Sequence, residues 1–312
     1  MNVLLFSHKN DIDGMGNVVL AKLAFDKVDY ILCETFDLEA NVMNTIDTKK
    51  IYTYDKIFIT DLCLKETSLQ RIFEDALLKD KFQIIDHHKT YDHEKYTKYP
   101  FVKVQIENDK GICCATSLFY EYLLEHHLLS QSVVVDEFVE LTRQHDTWEW
   151  KNIYHNEKAR ELAILFDALG IEGYISFIYD KCRIQKEFVF NEIEAFLIRN
   201  KKLEINDAIA GYLNNIYHRE LLGYKAGIIF INYQHRNEIA EYLREHQYPI
   251  DFVMLISLDR GVVSYRSTKD HVSVRLIAEY FNGKGHDKAA TNPITTLQKE
   301  LMINILTSGK DE

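Results

Sequence analysis

Four short stretches of this 312-residue sequence bring carboxylates together with imidazoles. They are His8-Lys-Asn-Asp11-Ile-Asp13-Gly, a lone Asp61, Asp86-His87-His88, and His145-Asp146 among aromatic residues. A single Asp after a strand is commonly a helix cap, and a single His-His pair is commonly surface or core. Several such sites on neighbouring strand ends carry a different meaning. Carboxylates packed together cannot all stay ionised unless a cation neutralises them. A mixed carboxylate and imidazole set without thiolate favours Mn, Mg, Fe or Zn in octahedral-like sites over a tetrahedral structural zinc. Two ions about 3.5–4 Å apart, bridged by one Asp, take roughly six protein ligands, activate water and clamp an in-line phosphoryl displacement.

The elements that must position these groups are legible nearby. Asn2–Ser7 reads as a short apolar strand, followed by a polar turn from Lys9 to Gly16 and a helix from about Asn17 to Lys27. Gly14 and Gly16 are assigned to that turn, aiming Asp11 and Asp13 inward before the helix starts. Tyr30–Cys33, Ile57–Thr60 and Phe82–Ile85 are further strand-like runs, and a helix is expected over Ser68–Leu78. Short apolar strands alternating with helices imply a parallel sheet covered on both faces. Ligands of such sheets bind beyond the carboxyl ends of the strands, where these Asp and His residues fall. Val133–Arg143 and Ala159–Ala168 add helices.

The stretch from roughly Cys182 to Asn200 has helical periodicity without Pro or Gly and is read as a connecting helix. Beyond it, Gly227–Ile231, Phe252–Ser257 and Gly261–Arg266 read as strands, with helices at Asn237–Glu245 and Val272–Phe281. The fold class is therefore α/β in two parts. A larger parallel-sheet domain spans 1–185, a connecting helix or linker 186–205, and a smaller α/β domain 206–312, with only the last five residues as a loose tail.

Composition bounds the chemistry. Apolar residues make up 46% and charged residues 27% of the chain, which describes an ordinary globular protein. The N-terminus lacks the basic region of a signal peptide, and no stretch is read as approaching the roughly 20 apolar residues of a membrane span. Five scattered cysteines (Cys33, Cys63, Cys113, Cys114, Cys182) without a C-x-x-C pair fit a reducing cytoplasm better than a disulfide framework or zinc ribbon. Cys113 and Cys114 are read as core. The net charge of −11 lies wholly in the first 200 residues, which hold 23 basic and 34 acidic side chains against 14 of each in 201–312. An acidic half and a neutral half suggest different work.

With these motifs in hand, the sequence resembles the DHH phosphoesterase family, named for the tripeptide that stands here as Asp86-His87-His88. The second half is similar to the associated DHHA1 domain. Val263-Ser-Tyr-Arg266-Ser resembles its strand arginine, and Gly283-Lys284-Gly285-His286-Asp-Lys-Ala-Ala its Gly-Gly-His-x-x-Ala-Ala segment. The resemblance implies one metal on His8, Asp11 and Asp61, and a second on Asp13, Asp61, His87 and Asp146. The ions would be divalent, Mn2+ foremost, with Mg2+ or Co2+ as alternatives. Asp86 would orient an imidazole. His88 would face the substrate phosphate or protonate the leaving oxygen. The nucleophile would be a hydroxide activated by both metals. Arg266 and Gly283, Lys284, Gly285 and His286 would bind the substrate's far end, in an active site between the domains. Two departures stand out: His8 precedes Asp11 by three positions where many members have four, and Lys284 replaces a glycine.

The resemblance points to a phosphodiesterase that hydrolyses short oligonucleotides, nanoRNA or dinucleotides, to mononucleotides. Its partners would be short single-stranded RNA or DNA or a dinucleotide, with no membrane, and a homodimer is among the assemblies allowed. Rivals are an inorganic pyrophosphatase or polyphosphatase, a bisphosphonucleoside phosphatase, and a non-catalytic nucleotide-binding regulator. The charge balance of the second half does not favour the highly charged pyrophosphate, and a protein that had lost catalysis would be free to lose the ligand set. Tyr217, Tyr224 and Tyr233 could stack on bases, though with 19 tyrosines chance placement is the plainer account.

Overall fold

A computed structural model describes residues 1–89 and 93–307, so the expected C-terminal tail lies outside the described residues. In chain order the first part runs β1 (Asn2–His8), α1 (Ile12–Ala24), β2 (Lys27–Cys33), α2 (Leu38–Asp47), β3 (Lys56–Thr60), α3 (Glu66–Glu74), β4 (Phe82–Asp86), α4 (His93–Tyr96) and β5 (Val102–Val104). It continues with β6 (Glu107–Asn108), β7 (Gly111–Ile112), α5 (Ala115–Glu125), α6 (Val133–Asp146), α7 (Glu149–Asn152), α8 (Glu157–Ile184) and α9 (Glu192–Leu213). The second part holds β8 (Tyr217–Leu221), β9 (Tyr224–Phe230), α10 (Arg236–Glu245), β10 (Phe252–Ser257), β11 (Val262–Ser267), α11 (Val274–Tyr280), β12 (Lys284–Gly285), β13 (Ala289–Pro293) and α12 (Thr296–Thr307). The chain divides into two compact units, Met1–Lys201 and Lys202–Glu312, with the division inside α9.

In the first unit five strands form a parallel sheet in the order β2-β1-β3-β4-β5. Alternate side chains serve its two faces. Val3, Leu5, Phe58 and Ile85 pack with α1, α5, α6 and α8, whereas Leu4, Phe6, Ile57, Ile59 and Ile84 pack with α2 and α3. The register pairs Ser7 with Thr60 and Thr60 with Ile85, so the strands end level. The residues just beyond each strand therefore meet those of its neighbours at one edge.

Several expectations need correction. α1 begins at Ile12, not near Asn17, because Asp11 caps it: the Gly14 N–H donates to Asp11 Oδ1 at 2.9 Å. Gly14 and Gly16 thus lie inside the helix, and space rather than a turn demands them. A Cβ on Gly14 would stand 1.9 Å from His8 O, and one on Gly16 2.4 Å from Thr116 Oγ1. The helix also ends at Ala24, since Lys27 already belongs to β2. The helix expected to reach Leu78 stops at Glu74, where Asp75 turns the chain by accepting the Leu77 N–H at 2.8 Å.

Nor is there one helix from Cys182 to Asn200. α8 ends at Ile184, the chain extends to bury Phe188 fully, and α9 starts after Asn191. Asn191 accepts the Glu194 N–H at 3.0 Å while Glu194 accepts the Asn191 N–H, a reciprocal cap. The buried Lys181 ammonium, 2.7 Å from Glu194 Oε1, ties the break shut by donating to Val189 O at 2.5 Å. α8 is, by length and composition, apolar enough to cross a membrane, contrary to the expectation that no stretch would be. It is two helices joined at Gly170 (φ 68°), and Leu162, Leu165, Tyr174, Ile175 and Ile178 are buried.

The second unit is a six-stranded sheet in the order β12-β13-β11-β10-β9-β8, parallel only between β9 and β10. Two of its strands escaped sequence-based expectation for a physical reason: β8 is Tyr-His-Arg-Glu-Leu and β13 is Ala-Ala-Thr-Asn-Pro, neither with a clear apolar alternation.

Two glycines test how far local space decides stability. Gly14→Ala should lower stability by roughly 1–3 kcal/mol through forced overpacking, although alanine is the better helix former. Gly211→Ala, in α9 where a Cβ would have nothing within 4 Å, should raise stability by up to about 1 kcal/mol. Thermal denaturation of both variants checks the pair; equal shifts of the same sign would refute the spatial argument.

Candidate metal centre

Each acidic or imidazole side chain of the cluster is delivered by a separate piece of the sheet edge. His8 is the last residue of β1 and Asp11 the cap of α1, and His8 Nδ1 lies 2.6 Å from Asp11 Oδ2. Asp13 sits in the first turn of α1 with its side chain turned into the protein. There the N–H groups of Ala115 and Thr116, at the start of α5, donate to its two oxygens at 2.8 and 2.7 Å. The helix start presents free N–H groups to a carboxylate. Thr116 Oγ1 also donates to Asp13 O at 2.6 Å. Asp146 closes the set from the last turn of α6.

Asp61 follows β3 in the left-handed region, φ 62°, a conformation Asp tolerates better than branched residues. Its own N–H pairs with Ile85 O at 3.0 Å, which fixes the bend. The side chain is buried and splits two ways: Oδ2 lies 3.5 Å from His8 Nδ1, and Oδ1 3.2 Å from His87 Nε2. His87 Nε2 is also 3.7 Å from Asp13 Oδ2 and 3.7 Å from Asp146 Oδ2. Two compact triads result, His8–Asp11–Asp61 and Asp13–His87–Asp146, each with ligand atoms within 4.8 Å of one another. Asp61 touches both.

Asp86 plays a different part. It is fully buried, and its Oδ1 accepts the His87 N–H at 2.8 Å and lies 2.8 Å from His88 Nδ1. The imidazole it orients is therefore that of His88, whose side chain is half exposed. The bond to Asp86 raises the His88 pKa against the opposing effect of burial. Asp86 Oδ2 is buried without a hydrogen-bond partner among the described residues.

The electrostatics fit a cation-binding role. Burial first, and then the charges of Asp13, Asp11, Asp146 and Asp86, push the Asp61 carboxyl well above the usual range. Asp146 is raised in the same way by burial and by Asp13, Asp11 and Asp86. Such groups must take up protons or face positive charge. With oxygen and imidazole donors and no thiolate, the cluster is able to hold divalent metal ions.

Three participants were not foreseen. The Ala115 and Thr116 N–H groups are invisible as chemistry in a sequence, because any residue supplies them. Glu34 lies 3.8 Å from His8 Nε2, since β2 pairs Cys33 with His8. His145, adjacent to Asp146, stays outside both triads: burial depresses its pKa to about 4, leaving a neutral ring near Asp11. Cys113 and Cys114 are buried and free, as expected, and the Cys114 sulfur caps α5.

The residues assigned to substrate binding belong to the second unit. Arg266 lies on β11 opposite Ala289, Ala290 pairs with both Tyr265 and Gly285, and the His286 N–H donates to Ala289 O at 2.7 Å. Arg266 and His286 thus both adjoin Ala289, the first across the sheet and the second from the turn that follows β12. Gly283 and Gly285 have a structural reason of their own: a Cβ there would come within 2.5 Å of Thr291 O and 2.4 Å of Ala290 Cα. Lys284 is exposed on β12 opposite Thr291.

The crowding of charge makes the metal-free protein testable. Asp61→Asn removes one buried like charge and keeps a residue that tolerates φ 62°, so in chelator its unfolding temperature should equal or exceed that of the original. Mn2+ at 100 times its Kd should stabilise the original by about 2.7 kcal/mol and the variant far less. A variant that is weaker in chelator and gains as much from Mn2+ would contradict the assignment of crowding to Asp61.

No family model matches the chain. It is 32% identical over 301 residues to the oligoribonuclease NrnB of Bacillus subtilis, covering 96% of this chain and 74% of that protein. Among solved structures it is similar to the DHH domain of a member of the s1p family of ribosomal proteins, with TM-score 0.60, 14% identity and coverage of 99% and 87%. It also resembles the pGpG-specific phosphodiesterase PggH of Vibrio cholerae, with TM-score 0.55, 14% identity and coverage of 98% and 97%. RecJ of Thermus thermophilus in complex with Mn2+ gives TM-score 0.56 at 14% identity over 97% of this chain and 51% of RecJ. These structures share the fold, and the sequence match to NrnB extends along nearly the whole chain. The chain belongs to the DHH/DHHA1 phosphoesterase family.

Proposed function

We propose that this protein is a metal-dependent phosphodiesterase that hydrolyses short oligonucleotides, dinucleotides included, to mononucleotides. The observation that carries the reading is Asp61, whose two carboxylate oxygens turn to different triads in the manner of a bridging ligand. The substrate class is supported by the relatives, one named an oligoribonuclease and another a pGpG-specific phosphodiesterase.

In this reading His8, Asp11 and Asp61 hold one divalent ion, and Asp13, Asp61, His87 and Asp146 hold the other. Mn2+ comes first, because a RecJ structure of this fold carries it, and another carries Mg2+. When bound, such ions lower the pKa of water and offset the charge of the scissile phosphate. The remaining work falls to side chains. Asp86, buried and fixed by the His87 N–H, holds His88 Nδ1 and leaves the other ring nitrogen of a half-exposed imidazole to act on substrate. A proton from His88 passes to the leaving oxygen as the P–O bond breaks, while water supplies the new oxygen on phosphorus. The products are a phosphomonoester and an alcohol. Arg266, Gly283, Lys284, Gly285 and His286 recognise the part of the substrate away from the scissile bond, Arg266 through its guanidinium fork.

Three variants separate these roles. Asp61→Ala should reduce Mn2+-dependent hydrolysis of a dinucleotide by about three orders of magnitude in kcat/KM. His88→Gln should lower kcat by roughly 10²–10⁴ and leave Mn2+ binding intact, as followed by calorimetry. Arg266→Ala should act mainly on KM, raising it about tenfold. The substrate panel for the original protein is di- and pentanucleotides of RNA and DNA, pyrophosphate and adenosine 3′,5′-bisphosphate, each with Mn2+ and Mg2+. Turnover of pyrophosphate or the bisphosphate in preference to every oligonucleotide would end this reading.

A further inference from the structure

One arginine buried in the first unit is paired with carboxylates. Arg143, 6% exposed, lies 2.8 Å from Glu140 and 2.6 Å from Glu149. Three arginines of the second unit differ from it around one tyrosine. Tyr233 opens a single 3₁₀ turn, Tyr233–His235, directly before α10. The Arg236 guanidinium carbon is 4.0 Å from its ring centroid, and Arg236 Nη1 donates to Tyr233 O at 3.1 Å. The Arg260 guanidinium, from the turn between β10 and β11, stands 5.6 Å from the same centroid. Arg266, on β11, donates to Asn237 Oδ1 at 3.2 Å and to Tyr265 O at 3.1 Å. Among the described residues none of the three has a carboxylate within ion-pair distance.

The cost of that arrangement shows on Arg266. Burial, and then the like charge of Arg236, bring it down to about 10, which still leaves it cationic at neutral pH. Tyr233 gives two of the guanidiniums a ring to rest on, a contact that holds them in place without neutralising them. Three fixed cations with only neutral acceptors form a site for an anion. A phosphodiester brings one negative charge, whereas a phosphomonoester brings nearly two and three acceptor oxygens. The larger charge suits this set better.

We propose that Arg236 and Arg260, held against Tyr233, form with Arg266 a site for a terminal phosphomonoester, by which the second unit distinguishes oligonucleotides with an end phosphate from those ending in a hydroxyl. This rests on the reading of the protein as an oligonucleotide phosphodiesterase. It adds Tyr233, Arg236 and Arg260 to the residues that recognise substrate, and the mononucleotide products carry the same group.

Binding by the full-length chain, measured by calorimetry with adenosine 5′-monophosphate, adenosine and inorganic phosphate in chelator, tests the site without the metal centre. The monophosphate should bind about tenfold more tightly than adenosine. Arg260→Gln, at an exposed turn where folding is not at stake, and Arg236→Gln should each bring that ratio down at least to about twofold. Arg244→Gln, in the last turn of α10, should leave it unchanged. An equal affinity for monophosphate and nucleoside in the original protein would overturn the proposal. So would an unaltered ratio in both variants, or inorganic phosphate binding as tightly as the monophosphate. In a second arm, Mn2+-dependent kcat/KM should favour pApA over ApA about tenfold in the original and lose that preference in Arg260→Gln. If neither dinucleotide is hydrolysed, the catalytic reading fails, while the calorimetric arm still decides the anion site.

Discussion

Mutual repulsion among five aspartates at one sheet edge is the constraint around which the first unit is organised. Asp11, Asp13, Asp61, Asp86 and Asp146 feel one another's charge at short range and mostly in buried surroundings. The fold answers part of this with its own hydrogen bonds. Asp13 receives two N–H groups from the start of α5, Asp86 receives the His87 N–H, and Asp11 is held by His8 and the Gly14 N–H. Asp61 and Asp146 are left with raised carboxyls and two imidazole-bearing triads around them. The unsatisfied remainder sits where positive charge would complete the site, as expected of a protein that gives up stability for function.

Holding that remainder in place needs tight backbone packing. Gly14 and Gly16 let α1 pass against His8 and Thr116, and without that approach Asp13 could not reach the α5 N–H groups. The left-handed turn at Asp61 reverses its side chain toward the shared centre, and the Ile85 carbonyl anchors it. The double layer of apolar side chains on the sheet fixes the register that brings the strand ends level. Packing thus sets the geometry, and geometry sets the charge.

The two units leave opposite signs of charge uncompensated. The first gathers carboxylates, and the second gathers Arg236, Arg260 and Arg266 around Tyr233 with no acid to pair them among the described residues. Net charge conceals this, for the second half of the chain is balanced overall. Local arrangement, not net composition, sets where a balanced unit presents positive charge.

Much of this was legible in the sequence because side-chain type and spacing are themselves chemical information. The strands read over Asn2–Ser7, Ile57–Thr60 and Phe82–Ile85 and the parallel α/β class follow from apolar runs that stop at charged residues, and the Asp and His residues of the cluster stand just beyond those runs or, for Asp146, at a helix end. The tertiary structure decided what depends on partners distant in the chain. Whether Gly14 marks a turn or a helix packed against its neighbour turns on the position of His8 O, and whether residues 185–191 continue a helix turns on a core site for Phe188. The Ala115 and Thr116 N–H groups and the convergence of three arginines on Tyr233 were equally beyond reach. Backbone donors carry no sequence signature, and pairing across about 30 or 100 residues is a property of the fold rather than of any local pattern.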